Sequence, residues 1–440
     1  MAVVQTLAGE NFEPELPKRL LKIAEDIVAA GGRAYLVGGW VRDALLGKNC
    51  RDYDVEVYDL EQDQLLPILS KYGKTNLVGK AFGVIHLSMK GESLDFSFPR
   101  TESKVGYGHK GFVVHTDAKL SFKEAALRRD FTINAMGMEL PDLKLCDPYG
   151  GIEDLKNRCL RHVGPAFAED SLRILRGVQF ASRFVLNLAP ETVEMCRTLS
   201  LDDLSIERLF EEFKKWLLKP GKPSLGLRAF LDIKLDEYFP EIKPLAGQWD
   251  LLGELLDNLS NVKDLADDER MVVMFAGLLS GNVTDGRCDE ESVLKFLARI
   301  TNEVKLVKGV PLLLRYAFTL SPTGSVDAGF ALPSDSKIRR LSVALSGLRQ
   351  LVPFIASNPL YGEMDRKSFA DAFAVRASEL NALEKAPVPF LTGKMLMDLG
   401  VKPGKQMGEI IKKSFELQLD GELADVEGAL TWAQKEITSI

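Results

Sequence analysis

Two closely spaced aspartates, Asp52 and Asp54, are the residues of this chain with the clearest capacity for chemistry. They begin residues 52–58, a run in which polar and apolar side chains alternate strictly. Alternate residues of a strand share one face, so both carboxylates are predicted to point the same way while Val55 and Val57 face the core. Two carboxylates on one face repel each other unless a cation lies between them. A pair of Mg²⁺ ions held in this way is the geometry that phosphoryl transfer needs.

A glycine turn precedes the two aspartates. Residues 33–37 are predicted to form a short buried strand, after which Gly38 and Gly39 allow a tight turn and a close approach of backbone to a ligand. A short helix with an apolar side follows and is closed by Gly47. The unpaired N–H groups at the start of such a helix suit phosphate oxygens. Taken separately, the glycines are also compatible with an ordinary turn, and the aspartates with a solvated strand face.

A third carboxylate lies farther along the chain, in the second of two predicted strands that cover residues 82–89 and 93–98. Apolar residues alternate with Asp95 in that strand. This pattern can bring Asp95 beside Asp52 and Asp54 on an adjacent strand. The alternative is an ordinary exposed position.

A basic motif follows at residues 128–135, which read Arg-Arg-Asp-Phe-Thr-Ile-Asn-Ala. Arg129, Asp130 and Asn134 offer a forked donor, a carboxylate acceptor and an amide. Such groups can distinguish a 2′-OH, which both donates and accepts, from hydrogen. The alternative is an amphipathic helix over residues 122–138 with a solvated basic turn.

A stripe of charged residues is predicted on the next helix. Glu169, Arg173 and Arg176 are spaced to share one helical face, with Asp170 beside Arg173. An aspartate acceptor and an arginine fork on one face can meet a base edge that has paired donors and acceptors. The alternative is a salt-bridged surface without a ligand.

The totals describe a soluble globular protein and give no global sign of its partner. A chain of 440 residues is too long for one ordinary core, so roughly two to four domains are expected. Because the net charge is −7, any RNA contact must come from local basic faces. The five scattered cysteines fit free thiols in a reducing cytosol, and no run is long and apolar enough to span a membrane. We therefore expect a cytoplasmic protein without a signal peptide.

Two further segments bear on the organisation of the chain. Residues 99–121 are polar and glycine-rich, contain His109 and His115, and are predicted to form a mobile functional loop. Residues 147–155 predict a turn followed by the start of a helix. From about residue 227 onward the pattern is helical.

These motifs, in this order and spacing, resemble the signature of the polymerase β-like nucleotidyltransferases. The glycine turn with its aspartate pair, the motif at 128–135 and Glu-Asp-Ser-Leu-Arg at 169–173 are similar to the class II branch, which contains the tRNA CCA-adding enzymes and bacterial poly(A) polymerases. Residues 147–155, Ser-Ile-Glu-Arg at 205–208 and residues 389–408 are similar to the hinge, neck and C-terminal motifs of that family. The resemblance is strong to about residue 218 and weak through the middle of the helical part.

The resemblance implies an α+β fold, with a small mixed-sheet head followed by a helical neck, body and tail. The implied domains are a nucleotidyltransferase catalytic head at 17–146, a neck with base recognition at 147–226, a body at 227–330 and a tRNA-binding tail at 331–440. The body resembles a degenerate HD phosphohydrolase scaffold, because Ser280 and Gly281 stand where relatives carry His-Asp. All four histidines lie upstream of that position, so no His/Asp metal site is expected there.

For the reaction, the resemblance implies template-independent addition of C and A to the 3′ end of tRNA from CTP and ATP, with release of pyrophosphate. Asp52 and Asp54 would bind two Mg²⁺ ions, one lowering the pKa of the primer 3′-OH and the other neutralising the triphosphate. Asp95 would be a third catalytic carboxylate. The implied nucleotide-binding residues are Gly38, Gly39, Arg42, Arg128, Arg129, Asp130, Asn134, Glu169, Asp170, Arg173 and Arg176.

Within that set, the glycines and Arg42 would hold phosphates, residues 129–134 the ribose, and Asp170 with Arg173 the base. Gln179 occupies a position where many relatives carry a further arginine, so a triphosphate contact at that point is open. Contacts with the phosphates of the tRNA acceptor arm are expected from lysines that are otherwise solvated helix ends, namely Lys214, Lys215, Lys402 and Lys405.

Three alternatives belong beside this prediction. A CC-adding or A-adding partial enzyme and a poly(A) polymerase are alternatives within the same enzyme class. The segment at 99–121 speaks against a C-only enzyme, since class II enzymes use such a loop when switching from C to A. The lack of a long Arg/Lys-rich segment after the last helix speaks weakly against a polymerase. A catalytically silent RNA-binding protein is the alternative from another class, and the presence of both aspartates argues against it.

Overall fold

The computed structural model describes residues 4–78, 83–104, 112–320, 324–325 and 329–438. The chain divides into two compact units. The first comprises Met1–Trp216 and Leu225–Leu235, and the second comprises Leu217–Ser224 and Asp236–Ile440. The first unit holds a mixed sheet with helices and the second is mainly helical, so the predicted α+β class is confirmed. The division into four domains stays a prediction.

The first unit contains both strands and helices. Its strands are β1 (Val4–Gln5), β2 (Asn11–Phe12), β3 (Arg33–Val37), β4 (Asp54–Tyr58), β5 (Lys74–Val78), β6 (Val84–Met89), β7 (Glu92–Ser97), β8 (Arg100–Lys104), β9 (Phe112–Thr116), β10 (Gly137–Leu140), β11 (Lys144–Cys146), β12 (Cys159–Leu160) and β13 (Asn187–Leu188). Its helices are α1 (Lys18–Ala29), α2 (Gly39–Leu45), α3 (Gln62–Ser70), α4 (Phe122–Ala126), α5 (Gly151–Lys156), α6 (Leu172–Phe184) and α7 (Pro190–Arg197). The helices α8 (Ile206–Leu218) and α9 (Pro223–Asp232) carry the chain through the residues at which the units divide.

The main sheet places the predicted catalytic residues at its centre. Within the described residues it has seven strands in the order β11-β10-β3-β4-β7-β6-β5. Strand β4 pairs antiparallel with β3 and parallel with β7, and this register sets Asp54 opposite Asp95. Val55 and Val57 are fully buried, as their alternation with polar residues predicts.

The second unit is built from helices with two short strand pairs. Its helices are α10 (Leu235–Tyr238), α11 (Trp249–Ser260), α12 (Asp267–Leu278), α13 (Glu290–Ile300), α14 (Val304–Ala317), α15 (Asp335–Leu345), α16 (Leu351–Ser357), α17 (Glu363–Glu379), α18 (Gly393–Asp398), α19 (Lys405–Asp420) and α20 (Val426–Thr438). Its strands are β14 (Val283–Thr284), β15 (Arg287–Cys288), β16 (Gly324–Ser325) and β17 (Gly329–Phe330). Among the described helices of the chain, none is long and apolar enough to cross a membrane.

One prediction about local structure is wrong. Residues 99–121 do not form one continuous loop, because β8 and β9 pair antiparallel from Arg100 opposite Thr116 to Lys104 opposite Phe112. Backbone hydrogen bonds hold such a hairpin, so the pairing needs no apolar periodicity. His115 lies in β9, whereas His109 is outside the described residues.

The helical alternative for residues 122–138 is excluded. The helix α4 ends at Ala126, and a short 3-10 turn at Thr132–Asn134 leads into β10. The strand β10 pairs with β3, and the carboxylate of Asp130 accepts a hydrogen bond from the backbone N–H of Phe131 at 2.7 Å. These contacts compete with a continued helix.

The segment predicted to resemble an HD helix leaves no space for larger side chains at Ser280 and Gly281. Helix α12 ends at Leu278, and Ser280 in the following turn, Ser280–Asn282, is fully buried. A Cβ on Gly281 would lie 2.1 Å from the carbonyl oxygen of Lys243. A larger residue at Gly281, such as the aspartate of the HD motif, therefore needs a different local backbone.

Candidate active site

The glycine turn brings backbone and arginine side chains together. Gly38 has φ +70° and ψ −126°, in the region that favours glycine, and α2 begins at the next residue. A Cβ on Gly38 would lie 3.2 Å from Nη1 of Arg129, and one on Gly39 would lie 3.4 Å from Nη2 of Arg42. Absence of both side chains thus lets two guanidinium groups approach the first turn of α2, where N–H groups are unpaired. The predicted strand, turn and short helix are confirmed.

The two aspartates open onto one cavity of about 640 Å³ in the first unit. The strand β4 begins at Asp54 rather than at Asp52, so the predicted strand is shorter at its start. Asp52 nevertheless lines the same cavity as Asp54, and both residues are exposed. Partial desolvation within the cavity and then the charge of Asp52 raise the pKa of Asp54 above its ordinary value, although Arg129 opposes the shift. A cation between the carboxylates would relieve this repulsion.

Asp95 lies on the neighbouring strand but has its own partner. His86 on β6 is opposite Asp95 in the register of β6 and β7, and its Nδ1 lies 2.6 Å from Oδ1 of Asp95. The described residues that line the cavity do not include Asp95. Adjacency of Asp95 and Asp54 is confirmed, and a catalytic role for Asp95 stays a prediction.

A buried glutamate joins the aspartate strand to the basic motif. The side chain of Glu56 is 1 % exposed, and Oε1 accepts a hydrogen bond from Nη2 of Arg128 at 2.8 Å. Nη2 of Arg129 lies 3.9 Å from the same oxygen, and the hydroxyl of Tyr58 donates to Oε2 at 2.7 Å. Burial alone raises the pKa of Glu56, but the two arginines and Tyr58 outweigh it, so the pKa is below its ordinary value. Glu56 is therefore ionised, and its negative charge holds Arg129 beside Gly38.

Glu56→Gln is expected to destabilise the protein by about 3–5 kcal/mol, because it leaves two largely buried arginines without their carboxylate. A lowered pKa in the folded state stabilises the protein above the ordinary glutamate pKa of about 4.3 and loses that effect as pH falls. The difference in unfolding temperature between Glu56→Gln and wild type should thus stay nearly constant from pH 7 to about pH 5 and narrow as the pH falls below about 4.3. Calorimetry on both proteins measures this difference in unfolding temperature. The control is Glu25→Gln, at an exposed residue of α1. Equal unfolding temperatures at pH 7 would contradict this role.

The predicted ribose-binding residues form a chain of hydrogen bonds. Nη1 of Arg42 donates to Oδ1 of Asn134 at 2.6 Å, and Nδ2 of Asn134 donates to Oδ1 of Asp130 at 3.0 Å. Nη2 of Arg176 lies 2.6 Å from Oδ2 of Asp130. Burial raises the pKa of Asp130, but Arg176 and Asn134 together lower it below its ordinary value. The network ties α2, the basic motif and α6 into one wall of the cavity.

The residues predicted to read the base are arranged differently from the prediction. Helix α6 begins at Leu172, while Glu169 ends a 3-10 turn and Asp170 has extended backbone angles. Oδ1 of Asp170 accepts from the backbone N–H of Leu172 at 3.2 Å, a contact made from outside the helix. The prediction that Glu169 and Asp170 lie on the helical face of Arg173 is therefore wrong. Asp170 still lines the cavity.

Arginines from two helices hold this segment. Nη2 of Arg208, on α8, donates to both oxygens of Asp170 at 2.9 and 3.0 Å. Arg173 is 9 % exposed and donates to the carbonyl oxygens of Ala166 at 2.7 Å and Arg128 at 2.6 Å. In this structure Arg208 braces the aspartate, and Arg173 joins the segment to the basic motif.

Several cavity residues were not predicted as site residues. The sequence feature that could have indicated them is a polar or aromatic side chain close to one of the motifs described above. Spacing alone does not distinguish such residues from ordinary helix positions. They are Asp43, Gln179, Phe180, Arg183 and Arg208.

The predicted RNA-binding lysines are spread over both units. Lys215 lines the cavity and lies 2.8 Å from the buried carboxylate of Glu212, whereas Lys214 pairs with Glu211 at 2.9 Å. Lys402 and Lys405, in the second unit, are exposed. Their binding to RNA stays a prediction.

Comparison with known proteins gives sequence matches in the first part of the chain. Residues 34–161 match the poly A polymerase head domain family. A multifunctional CCA protein of Xanthomonas campestris pv. campestris (strain B100) is 41 % identical over 223 residues, which are 49 % of this chain and 52 % of that protein. The corresponding protein of Stenotrophomonas maltophilia (strain R551-3) is 39 % identical, over 49 % of this chain and 53 % of that one. The chain thus spans about half the length of the curated relatives it matches.

Solved structures match over nearly the whole chain. The Bacillus stearothermophilus CCA-adding enzyme in complex with CTP superposes with a TM-score of 0.66 at 22 % identity, covering 96 % of this chain and 97 % of that one. The Thermotoga maritima CCA-adding enzyme complexed with tRNA gives 0.64 at 21 % identity, covering 96 % of each chain. Residues 34–161 are therefore similar to the poly A polymerase head domain family, and the chain has the fold of the CCA-adding enzymes.

Proposed function

We propose that this protein is a template-independent tRNA nucleotidyltransferase that adds C and A to the 3′ end of tRNA from CTP and ATP and releases pyrophosphate. The observation that carries the proposal is the cavity in which Asp52 and Asp54 face a glycine turn and several arginines. Such a site combines oxygen ligands for a metal with N–H donors for phosphates. Relatives named as CCA proteins, and solved CCA-adding enzymes bound to CTP and to tRNA, support the choice of substrates.

Asp52 and Asp54 would hold the Mg²⁺ ions of this reaction. Mg²⁺ is commonly bound by one or two carboxylates together with substrate phosphates, which fits this pair. Partial desolvation, followed by the charge of Asp52, raises the pKa of Asp54, and a dication bound beside both carboxylates would favour their ionised forms. When bound, the metal supplies charge neutralisation at the triphosphate and lowers the pKa of the attacking 3′-hydroxyl.

The protein's own groups bind and orient the nucleotide. Phosphates would lie at the first turn of α2, where Arg42 and Arg129 approach Gly38 and Gly39. Arg129, Asp130 and Asn134 would hold the ribose, with Asp130 kept in place by Arg176. Asp170 would accept a hydrogen bond from the base. The exposed lysines would contact the acceptor arm through RNA phosphates.

The test is incorporation of CTP and ATP by the purified full-length protein on tRNAs that end before CCA, after C and after CC. We expect C on the first two substrates, a single A on the third, and no addition without a divalent ion. Addition of C alone, of A alone or of long A tails would replace the proposal by a partial enzyme or a poly(A) polymerase. Absence of incorporation on every substrate would contradict enzymatic activity.

A further inference from the structure

We propose that Arg183 binds the triphosphate of the incoming nucleotide. This inference rests on the proposed nucleotidyltransferase function and adds a residue to its site. Arg183 lies on α6 and lines the cavity that contains Asp52 and Asp54. Its partners, its neighbours and its place along the helix support the assignment.

The hydrogen-bond partner of Arg183 is neutral. Nη1 of Arg183 donates to Oε1 of Gln179 at 3.3 Å, and Gln179 is 1 % exposed. Over the described part of the chain, no carboxylate oxygen lies within 4.0 Å of a guanidinium nitrogen of Arg183, so Arg183 forms no ion pair there. Other cavity arginines are paired at short distance, as in Arg42–Asp43 at 2.8 Å, Arg176–Asp130 at 2.6 Å and Arg208–Asp170 at 2.9 Å. Arg183 thus brings a positive charge into the cavity that no neighbouring carboxylate neutralises directly.

A second guanidinium lies close to the first. Arg183 and Arg42 both lie over the ring of Phe184, at 5.1 and 4.0 Å from its centroid. Burial, followed by the charge of Arg42, lowers the pKa of Arg183, and the carboxylates of Asp43 and Glu212 offset only part of this. Two partly desolvated guanidinium groups over one ring repel each other. An anion that binds between or beside them offsets this repulsion.

The position along α6 indicates which part of the nucleotide this anion is. Asp170 lies just before the helix and Arg173 in its first turn, and Arg176 follows with its bond to Asp130 of the ribose motif. Arg183 comes last, about 15 Å from Arg173 at 1.5 Å per residue. It lies near Arg42, in the helix that follows the glycine turn. Base, ribose and phosphates would therefore follow one another along α6, and the phosphates would meet Arg183.

The test compares Arg183→Gln with the wild-type full chain. We expect the KM for both ATP and CTP to rise roughly ten- to hundredfold, as for loss of a charged hydrogen bond. Binding of inorganic tripolyphosphate, measured by calorimetry, should weaken similarly, whereas binding of AMP should change little. Arg183→Lys keeps the positive charge but lacks the forked donors of a guanidinium. Its KM values and its tripolyphosphate binding should therefore lie between those of wild type and Arg183→Gln. The control is Arg197→Gln, at an exposed arginine of α7 paired with Glu194 at 2.9 Å.

A rescue variant separates a phosphate contact from a structural role. The double variant Gln179→Arg with Arg183→Gln returns a guanidinium one helical turn earlier and should recover part of the tripolyphosphate binding. Unchanged KM and tripolyphosphate binding in Arg183→Gln would overturn the inference, and so would equal weakening of ATP and AMP. If Arg183→Gln does not fold, Arg183→Lys decides by the same comparison of tripolyphosphate with AMP. Failure of the proposed function is distinct, because wild type itself would then add no nucleotide.

Discussion

Asp54→Asn is expected to reduce nucleotide addition by at least about a thousandfold, the loss that follows when several kcal/mol of metal-dependent stabilisation are removed. The amide has the shape of the carboxylate but lacks its charge, so it is a poor ligand for Mg²⁺. Asp52→Asn should have the same effect on all nucleotides. The measurement is the rate of CTP and ATP incorporation on a tRNA primer.

A readout that does not depend on activity keeps this prediction from being confused with misfolding. Folding raises the pKa of Asp54 through partial desolvation and the charge of Asp52, so above that pKa the ionised carboxylate costs stability. Without divalent ions, Asp54→Asn should therefore be at least as stable as wild type, and added Mg²⁺ should stabilise wild type more than the variant. Asp63→Asn, at an exposed residue in the first turn of α3, is the matched control. Activity of Asp54→Asn within tenfold of wild type would rule out the metal assignment.

Local patterns predicted the strands and turns that carry the residues proposed to be catalytic. Alternation in residues 52–58 predicted which side of β4 is buried. A shift of one residue in strand register would expose the apolar side chains of Val55 and Val57, so only one side of the strand can face the core. The glycines at 38 and 39 predicted the turn, since an L side chain at Gly38 would be both strained and close to Arg129. Each of these features depends on neighbours within a few residues or on burial itself.

Side-chain partners could not be predicted in the same way. Arg42 and Asn134 are separated by 92 positions, and Arg208 and Asp170 by 38. Helical spacing indicates which residues share a face, but not which distant residue meets them, and α6 begins after Asp170 rather than before it. The hairpin of β8 and β9 was missed because β8 reads Arg-Thr-Glu-Ser-Lys and is polar throughout, although β9 begins with the strand-forming residues Phe-Val-Val.

Asp170→Ala is expected to narrow the preference for C and A over U and G. A carboxylate accepts from the exocyclic amine of C or A, whereas U and G present the opposite pattern at that edge. A misplaced hydrogen-bond pair typically costs about 1–3 kcal/mol, so discrimination should fall by roughly 5- to 150-fold. Asp52→Asn, in contrast, should slow all four nucleotides alike. Steady-state kcat/KM for the four triphosphates on one tRNA primer measures the preference.

Arg208→Gln distinguishes reading of the base from bracing of the segment. It removes the guanidinium that donates to both oxygens of Asp170 at 2.9 and 3.0 Å, but it leaves the carboxylate acceptor in the cavity. If Asp170 reads the base, Arg208→Gln should lower kcat/KM for C and A while keeping most of their lead over U and G. Loss of that lead in Arg208→Gln, together with its retention in Asp170→Ala, would show that the base is read elsewhere. The ion pair would then serve only to hold the segment before α6 against α8.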